Sequence, residues 1–567
     1  MNGNKLAQTE TKIVEEISMK KDPESSEKVE TSDSPSEVTI SEVSQVFANS
    51  HDNILPLKNL LIVFSAMAVA LFLSFVDQTG ITIALPYIAE EMDASDTISW
   101  AGTASLISTT VFMVLFGRFS DIFSRKYVLI GCMIILAFFD LACGFAQKPY
   151  QLYIFRGMCG IGNGGITSLT MVIVSDVVTL EDRGKYQGIL GSCVGMGNAL
   201  GPFLASAFIK HYSWRHFYYM LFPIGFCASG LVYWLVPYTR PDCAMKEKLL
   251  KIDYFGFLFS SIGIIFLLIP VSGGGSFYSW SSPFVISMIV IGGVSLIIFL
   301  YIEQKVAILP MIPLRLFTSR CSLTFLLSQN FFFGMVYFSS LYYIPYYLEV
   351  IRGESVIMSS VYLLCLVIPQ SVISTITGQI ISRTKHYIYV IWFGYIFWTI
   401  AVCLLNLWSV TCHFGVVVGT LIINGCGTGA TFQPTLVAAQ AQSSREDRAI
   451  VISTRNVLRS FGGAIGLAIC STIVSNTYIK TLTQNGISLF SKSEIDVLKT
   501  QIFTSVDLSS YSPDQVDFLK HAYMGALRNV FYFWIGSIAY CLVSTLPIKD
   551  EGLDSFDSKK TGEKSRT

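Results

Sequence analysis

Fourteen mostly apolar stretches, separated by short polar breaks, occupy the chain from residue 59 to residue 547. They fall at 59–86, 97–117, 127–146, 150–178, 185–209, 215–237, 253–272, 283–303, 322–348, 356–382, 387–407, 412–440, 449–475 and 525–547. A helix of about 20 residues covers the roughly 30 Å hydrocarbon core of a bilayer, so each stretch is long enough to cross it. The pattern predicts an all-α polytopic membrane protein with fourteen transmembrane helices. Residues 1–56 are different: they are polar, rich in Ser, Glu, Asp and Lys, and predict a disordered tail. No N-terminal signal peptide is expected, because the first apolar run begins only near Leu60.

The pattern also repeats. Glu181–Ser206 opens with charges and runs into a glycine-rich apolar segment, and Glu446–Ser471 does so again at an offset of 265 residues. The offset aligns Gly197, Ala199 and Gly201 with Gly462, Ala464 and Gly466, and in the preceding helix Gly160, Gly162 and Gly164 with Gly425, Gly427 and Gly429. In a soluble helix each glycine costs about 1 kcal/mol relative to alanine. In a membrane, small residues let two helices approach closely. Spans four and five therefore correspond to spans twelve and thirteen, running in the same direction. That predicts two six-helix bundles related by an axis along the membrane normal, the plan of a transporter built from repeats. Spans seven and eight are left over as an inserted hairpin. The expected divisions are a cytosolic tail 1–56, a first bundle 57–240, the hairpin 241–305, a second bundle 306–548 with an external loop 476–524, and a cytosolic tail 549–567.

Composition agrees with membrane insertion: 52% of residues are hydrophobic and 14% charged, with a mean hydropathy of +0.55, against about 25% charged in soluble proteins. Net charge is zero, so nothing global points to nucleic acid. The 13 cysteines are scattered singly, without CxxC pairs or metal-ligand spacing, and read as small core residues. Basic residues collect after the even spans, as in Arg183 and Lys185 or Arg383 and Lys385, whereas the loop after span one holds Glu90, Glu91, Asp93 and Asp96. The positive-inside rule then predicts both termini in the cytosol and loop 476–524 outside or in a lumen.

Few charges lie within the spans. Asp77 sits in the first, within LSFVDQTGITIALP, where an acid costs roughly 2.5–3.5 kcal/mol. It is expected to face the bundle interior, either as a proton carrier or as a carboxylate with a purely structural hydrogen bond. Arg156, early in span four, falls on Leu421 under the repeat, so the fold does not demand it twice. A specialised role is favoured over snorkelling to the interface. Asp140 in span three is a weaker candidate, read as lying near that interface. Gly117, Asp121, Arg125 and Lys126 crowd the short turn between spans two and three, where an acid and several bases can latch one conformation. Arg455 and Arg459, one turn apart in span thirteen, either hold an anionic substrate group, pair with acids or snorkel. Aromatics crowd span nine, among them Phe333, Tyr337, Tyr342 and Tyr346. They are packing residues or a cavity for flat or cationic compounds.

Several of these segments resemble the major facilitator superfamily, specifically its fungal fourteen-helix drug:proton antiporter branch. Gly117 to Lys126 is similar to the cytosolic signature G-x-L-x-D-R-x-G-R-K, matching at Gly117, Asp121, Arg125 and Lys126 and departing at Phe119, Ile122 and Ser124. Asp77 to Pro86 resembles D-x-T-x-x-x-x-A-L-P, and Arg156 with Gly157, Gly160 and Gly162 resembles the span-four motif. Gly197, Gly201 and Pro202 match the antiporter motif G-x-x-x-G-P, although Ala205-Ser206 replaces the glycine pair that usually follows. Trp214-Arg215 with Pro223, and Gly274-Gly275 with Trp280, match two further markers.

The resemblance implies a proton-coupled antiporter of small organic compounds that works by rocking two bundles about a midplane site. Asp77 and Arg156 would couple protons and Gly117 to Lys126 would gate the cytosolic side, while from the residues themselves Tyr342, Tyr346, Arg455 and Arg459 are the candidates for lining the substrate cavity. Drug export at the plasma membrane is the leading expectation. Vacuolar uptake of basic amino acids, siderophore transport and a non-transporting receptor on the same scaffold are the alternatives. The expected partners are a small-molecule substrate, protons and the lipid bilayer, with the chain a monomer and no nucleic acid involved. No cofactor or metal is expected, nor an enzyme: there is no Walker A loop and no hydrolase motif.

Overall fold

A computed structural model of the chain describes residues 57–94, 97–179, 182–236, 253–273, 280–307, 310–318, 320–444, 447–486, 489–500 and 511–553. The expectation for tail 1–56 and the Gly274-Gly275 marker lie outside these residues, as do the side chains of Arg118 and Asp121. Fourteen helices among the described residues are long and apolar enough to cross a membrane, and no β-strand occurs among them. They are α1 (Leu57–Glu91), α2 (Ser99–Phe123), α3 (Arg125–Phe145), α4 (Pro149–Val177), α5 (Arg183–His211), α6 (Trp214–Leu235) and α7 (Tyr254–Gly273). The rest are α8 (Pro283–Lys305), α9 (Cys321–Tyr346), α10 (Val356–Thr384), α11 (Ile388–Leu404), α12 (Phe414–Phe432), α13 (Arg448–Asn485) and α14 (Pro513–Val543).

Two stretches differ from the sequence reading. The expected loop 476–524 is largely helical: α13 runs on to Asn485, a short helix spans Lys492–Thr500, and α14 begins at Pro513. The extension is polar in sequence but is held by aromatic packing, with Tyr478 stacked on Tyr523 at 4.2 Å. Ser512 caps α14, its hydroxyl accepting the Gln515 N–H while Gln515 returns a bond to the Ser512 N–H, a capping box that starts a helix well before the apolar stretch. The expected turn between spans two and three is a single residue. Helix α2 continues to Phe123, Ser124 breaks the chain, and α3 starts at Arg125.

The repeat holds in space. A β-carbon on Gly201 of α5 would lie 2.7 Å from the Val76 carbonyl oxygen of α1, and one on Gly466 of α13 would lie 2.5 Å from Met335 Cα of α9. Equivalent glycines thus seat equivalent helix pairs, one in each bundle. Gly184, Gly188, Gly191 and Gly195 of α5 meet the second bundle instead: a β-carbon on Gly188 would lie 2.5 Å from the Ser374 carbonyl oxygen of α10. Its pseudo-symmetric counterpart is Gly117 of α2 against Ser453 of α13, where a β-carbon would lie 2.9 Å from Ser453 Cβ. Adding even one methylene to such contacts costs about 1–3 kcal/mol, because backbone must move.

Fourteen crossings return the chain to the end where α1 begins. Gly117, Gly188 and Ser453 all lie towards that end, and Ser168 and Ser453 hydroxyls meet there at 3.0 Å. Near the middle of α5, Asn198 Nδ2 donates to Tyr337 Oη of α9 at 2.8 Å. A β-carbon on Gly102, at the opposite end of α2, would meet nothing within 4 Å. The bundles therefore close on each other at the terminal end. The α7–α8 hairpin packs beside this contact, with Ile264 and Leu268 of α7 against Ile107 and Val111 of α2 and Ala464 of α13.

Ser124 has φ 76°, is buried, and its hydroxyl has no hydrogen-bond partner. Positive φ in a non-glycine residue costs of order 1–3 kcal/mol, and glycine adopts it freely. The family signature has glycine at this position. Ser124→Gly is expected to stabilise the folded protein by about 1 kcal/mol once the greater freedom of unfolded glycine is subtracted. Thermal unfolding of the purified protein in detergent measures this; a lower midpoint would contradict the strained turn.

Candidate functional site

Charged side chains gather at two buried places, one per bundle. In the first, Arg156 of α4 donates to Asp77 of α1, and both are essentially sealed, at 1% and 0% exposure. Asn163, two turns along α4, donates to the other Asp77 oxygen at 2.7 Å. The Asn163 carbonyl in turn accepts the Ser74 hydroxyl at 2.6 Å, and Gln78 Nε2 donates to that hydroxyl at 3.1 Å. The spacing is helical: Ser74, Asp77 and Gln78 share one face of α1, and Arg156 and Asn163 one face of α4. The Arg156 guanidinium also lies 5.9 Å from the Tyr218 ring centre of α6. Snorkelling is thus ruled out for Arg156, and Asp77 does face the bundle interior. Asp140 of α3 is buried inside the bundle as well. It is 1% exposed, and the Cys159 thiol of α4 donates to it at 3.4 Å.

The second place is built by an interruption. Pro434 cannot donate a backbone hydrogen bond, so α12 stops at Phe432 and a short helix, Pro434–Ala441, continues it. The Leu436 and Val437 N–H groups both turn to the Gln433 carbonyl, at 2.9 and 3.1 Å. The Phe432 carbonyl then accepts Nη2 of Arg455. Arg455 also donates to Asn456 Oδ1 at 3.2 Å. One turn later, Arg459 lies with its guanidinium 4.5 Å from the Phe432 ring centre, while Arg455 is 5.6 Å from it. Both arginines are buried, at 0% and 3% exposure, so neither snorkels. Neither has an acidic partner among the described residues. Nε of Arg455, and Nε and Nη1 of Arg459, lack any hydrogen-bond partner. Around them, Gln433 of the break and Asn456 also keep unpartnered polar atoms, as does the Tyr395 hydroxyl. Buried donors of this kind are costly unless something binds them.

The remaining candidates separate. Tyr342 is 41% exposed and Tyr346 packs edge-on against Tyr523 of α14 at 5.9 Å. The span-nine aromatics that reach the arginines' surroundings are Phe333 and Tyr337, whose rings lie 5.7 and 5.9 Å from Phe432. Tyr342 and Tyr346 stand about 7 Å and 13 Å farther along α9 than Tyr337. Pro202 lies within α5 beside Gly201, and Gly197 packs on Phe75 of α1, where a β-carbon would be 2.8 Å away. In the signature between α2 and α3, Arg125 pairs with Asp176 at the end of α4. Lys126 lies 5.2 Å from the Tyr233 ring centre. These two contacts lie within the first bundle, Gly117 meets Ser453 of the second, and the Asp121 side chain lies outside the described residues.

Sequence reasoning missed several residues. Glu91 accepts from Trp214 Nε1 at 2.6 Å and from Arg215, and Arg215 donates to the Ala146 carbonyl at 3.1 Å. This ties the ends of α1, α3 and α6 and gives the Trp214-Arg215 motif its purpose. Burial raises the Glu91 pKa, but the Arg215 and Trp214 hydrogen bonds outweigh it and hold the carboxyl below its usual value. Asn163 was legible as the residue two turns from Arg156. Phe432 carried no signal beyond its place before Gln433-Pro434.

A family model described as Major Facilitator Superfamily matches residues 67–248 and 253–467. Among curated proteins, Citrate exporter 1 of Yarrowia lipolytica is 45% identical over 514 residues, covering 90% of this chain and 75% of that protein. Efflux pump dotC of Dothistroma septosporum is 31% identical, covering 76% of this chain and 75% of that one. Among solved structures, the human organic anion transporter MFSD10 (TETRAN) superposes with a TM-score of 0.56 at 14% identity, covering 87% of this chain and all of that one. At that identity the likeness concerns the fold alone.

Removing one partner of a buried ion pair costs about 3–5 kcal/mol, because the other charge is stranded. Asp77→Asn and Arg156→Gln are each expected to lower the thermal unfolding midpoint sharply, and the double substitution to cost less than the sum of the two. Additive losses in that cycle would show that the pair is not coupled.

Proposed function

Because the chain belongs to the major facilitator superfamily, it is a multi-pass membrane transporter rather than an enzyme, and we propose that its substrates are small organic anions carrying two or more carboxylates, exported in exchange for protons. The observation that carries this reading is the pair Arg455 and Arg459: two buried guanidiniums, one turn apart, with unpartnered nitrogens and no acid paired to them among the described residues. Guanidinium binds carboxylate through paired, charge-assisted hydrogen bonds. Two of them on one helix face suit a molecule with several carboxylates. The name of the Yarrowia lipolytica relative, a citrate exporter, agrees with this chemistry.

The same pair disfavours basic amino acids and cationic drugs, which two uncompensated positive charges would repel in a low-dielectric site. Neutral drugs remain the second reading, favoured by the Phe432 and Tyr337 rings beside the arginines. Proton return runs through the Asp77–Arg156 cluster. The contact of Gly117 and Gly188 with the second bundle forms the cytosolic gate, with both termini on that side. Exchange then follows from rocking the bundles about the Asn198–Tyr337 contact. The plasma membrane is the location that fits export.

Citrate uptake into vesicles containing the purified protein, driven by an imposed proton gradient, tests this. One charge-assisted hydrogen bond contributes roughly 1.5–3 kcal/mol, so Arg455→Gln or Arg459→Gln is expected to reduce transport about tenfold or more. Lysine at either position should restore part of it. Normal citrate transport in both glutamine variants, or transport of a neutral drug but of no carboxylate by the unaltered protein, would overturn the proposal.

A further inference from the structure

The first bundle holds an odd charge. Within one sealed volume between α1, α3, α4 and α6 lie two carboxyls, Asp77 and Asp140, and one guanidinium, Arg156. Asp140 interacts with both of the others. Asp77 is fully served as an anion: the Arg156 guanidinium holds one oxygen, and the Asn163 amide holds the other at 2.7 Å. Asp140 has one weak donor among the described residues, the Cys159 thiol at 3.4 Å. The other titratable groups facing Asp140 supply no cation: Cys159 and Cys143 on its own side of α3 and α4, and Tyr218 from α6. The Tyr218 hydroxyl has no hydrogen-bond partner. Arg215 of α6 is committed to Glu91 at the helix ends.

Two carboxylates and one guanidinium would leave a net negative charge in a low-dielectric interior, which is strongly unfavourable. A single added proton makes the cluster neutral. The two carboxyls compete for that proton unequally, because two strong donors stabilise Asp77 as the anion and one thiol stabilises Asp140. We infer that Asp140 is the proton-carrying residue of this transporter and that Asp77 is the fixed counter-ion that keeps Arg156 in place.

The step is a simple transfer. In the loaded state the Asp140 carboxyl holds H⁺, and the Asp77–Arg156 pair is neutral. When rocking opens the cluster to water, Asp140 releases H⁺ and the resulting carboxylate draws on Arg156, which then bridges two anions. The protonated form reorients without substrate in one direction, and the deprotonated form, with Arg156 bridging both carboxylates, returns with substrate bound before Asp140 takes up H⁺ on the far side, so each cycle exchanges a proton for substrate. The division explains why one arginine meets two acids, and why the second half has none of the three: under the 265-residue offset, Asp77, Asp140 and Arg156 fall on Tyr342, Leu405 and Leu421. The functional meaning of the inference rests on proton coupling by this cluster, but its test needs no substrate, so its failure is separable from a wrong substrate class.

Infrared spectroscopy of the purified full-length protein, titrated with base in deuterated buffer, reads the carbonyl stretch of a buried protonated carboxyl directly. The unaltered protein is expected to show this band at neutral pH, and Asp140→Asn to lose it. Asp140→Glu, which keeps the carboxyl and serves where the asparagine variant does not fold, should move the band without removing it. Arg156→Lys should retain it. A band that survives unchanged in Asp140→Asn or Asp140→Glu would overturn the assignment. So would a band that disappears only when Asp77 is changed, or no band in the unaltered protein at neutral pH. As a functional readout, Asp140→Asn should keep substrate-for-substrate exchange while uphill transport loses its dependence on pH. Loss of both in a folded protein would mark a structural role instead.

Discussion

Charge inside a bilayer has to be neutralised, either by the protein or by what the protein carries. The two bundles answer that constraint in opposite ways. The first meets it internally, with Asp77 and Asn163 aligned on Arg156 and Ser74 by helical spacing. The second leaves Arg455 and Arg459 uncompensated, buried beside the Phe432 ring. The repeat makes the contrast sharp, because under the same offset Arg455 and Arg459 correspond to Leu190 and Val194 of the first bundle. On the proposed reading, one half of the scaffold holds a charge cluster that exchanges a proton and the other half receives an external anion.

Helix α5 joins the halves. Its small residues let it lie against α1 through Gly197 and Gly201 and against α10 through Gly188, so it belongs to both bundles at once. Its middle carries Asn198, bonded to Tyr337, and Gln370 of α10 donates to the same hydroxyl at 3.2 Å. Tyr337 in turn lies near Phe432. A chain of direct contacts therefore runs from the first bundle to the surroundings of the arginines. Movement of α5 against α10 therefore bears on the surroundings of Arg455 and Arg459. Close backbone contact also makes the closed terminal end discrete rather than graded: packed interfaces of this kind switch between arrangements.

The parts of this account readable in the sequence were those governed by period and composition. Span number and the repeat follow from apolar length and glycine spacing, and both survive in the structure, down to the equivalence of Gly201 and Gly466. Asp77 and Arg156 stood out because charge is rare in such segments. What the sequence hid was partnership across helices. Nothing in the order of residues told that Asp140 would face inward rather than the interface, or that Asn163 would close on Asp77. The described residues of connection 476–524 are largely helical, because polar composition does not forbid helix when a capping box and stacked tyrosines support it. The short turn between spans two and three was legible, but its reduction to the single positive-φ residue Ser124 was not. Tyr342 and Tyr346 were chosen for their density in span nine, but only the periodicity of α9 relative to α12 decides that Tyr337 reaches the arginines.

The central claim is that the second bundle's two arginines await an anion. An experimental structure of the protein in lipid with saturating citrate tests it most directly. The account predicts density for one citrate bridging the guanidiniums of Arg455 and Arg459, beside Phe432, with the Asp77–Arg156 pair intact in the other bundle. Citrate bound elsewhere, or either arginine found paired with a protein carboxylate, would contradict it.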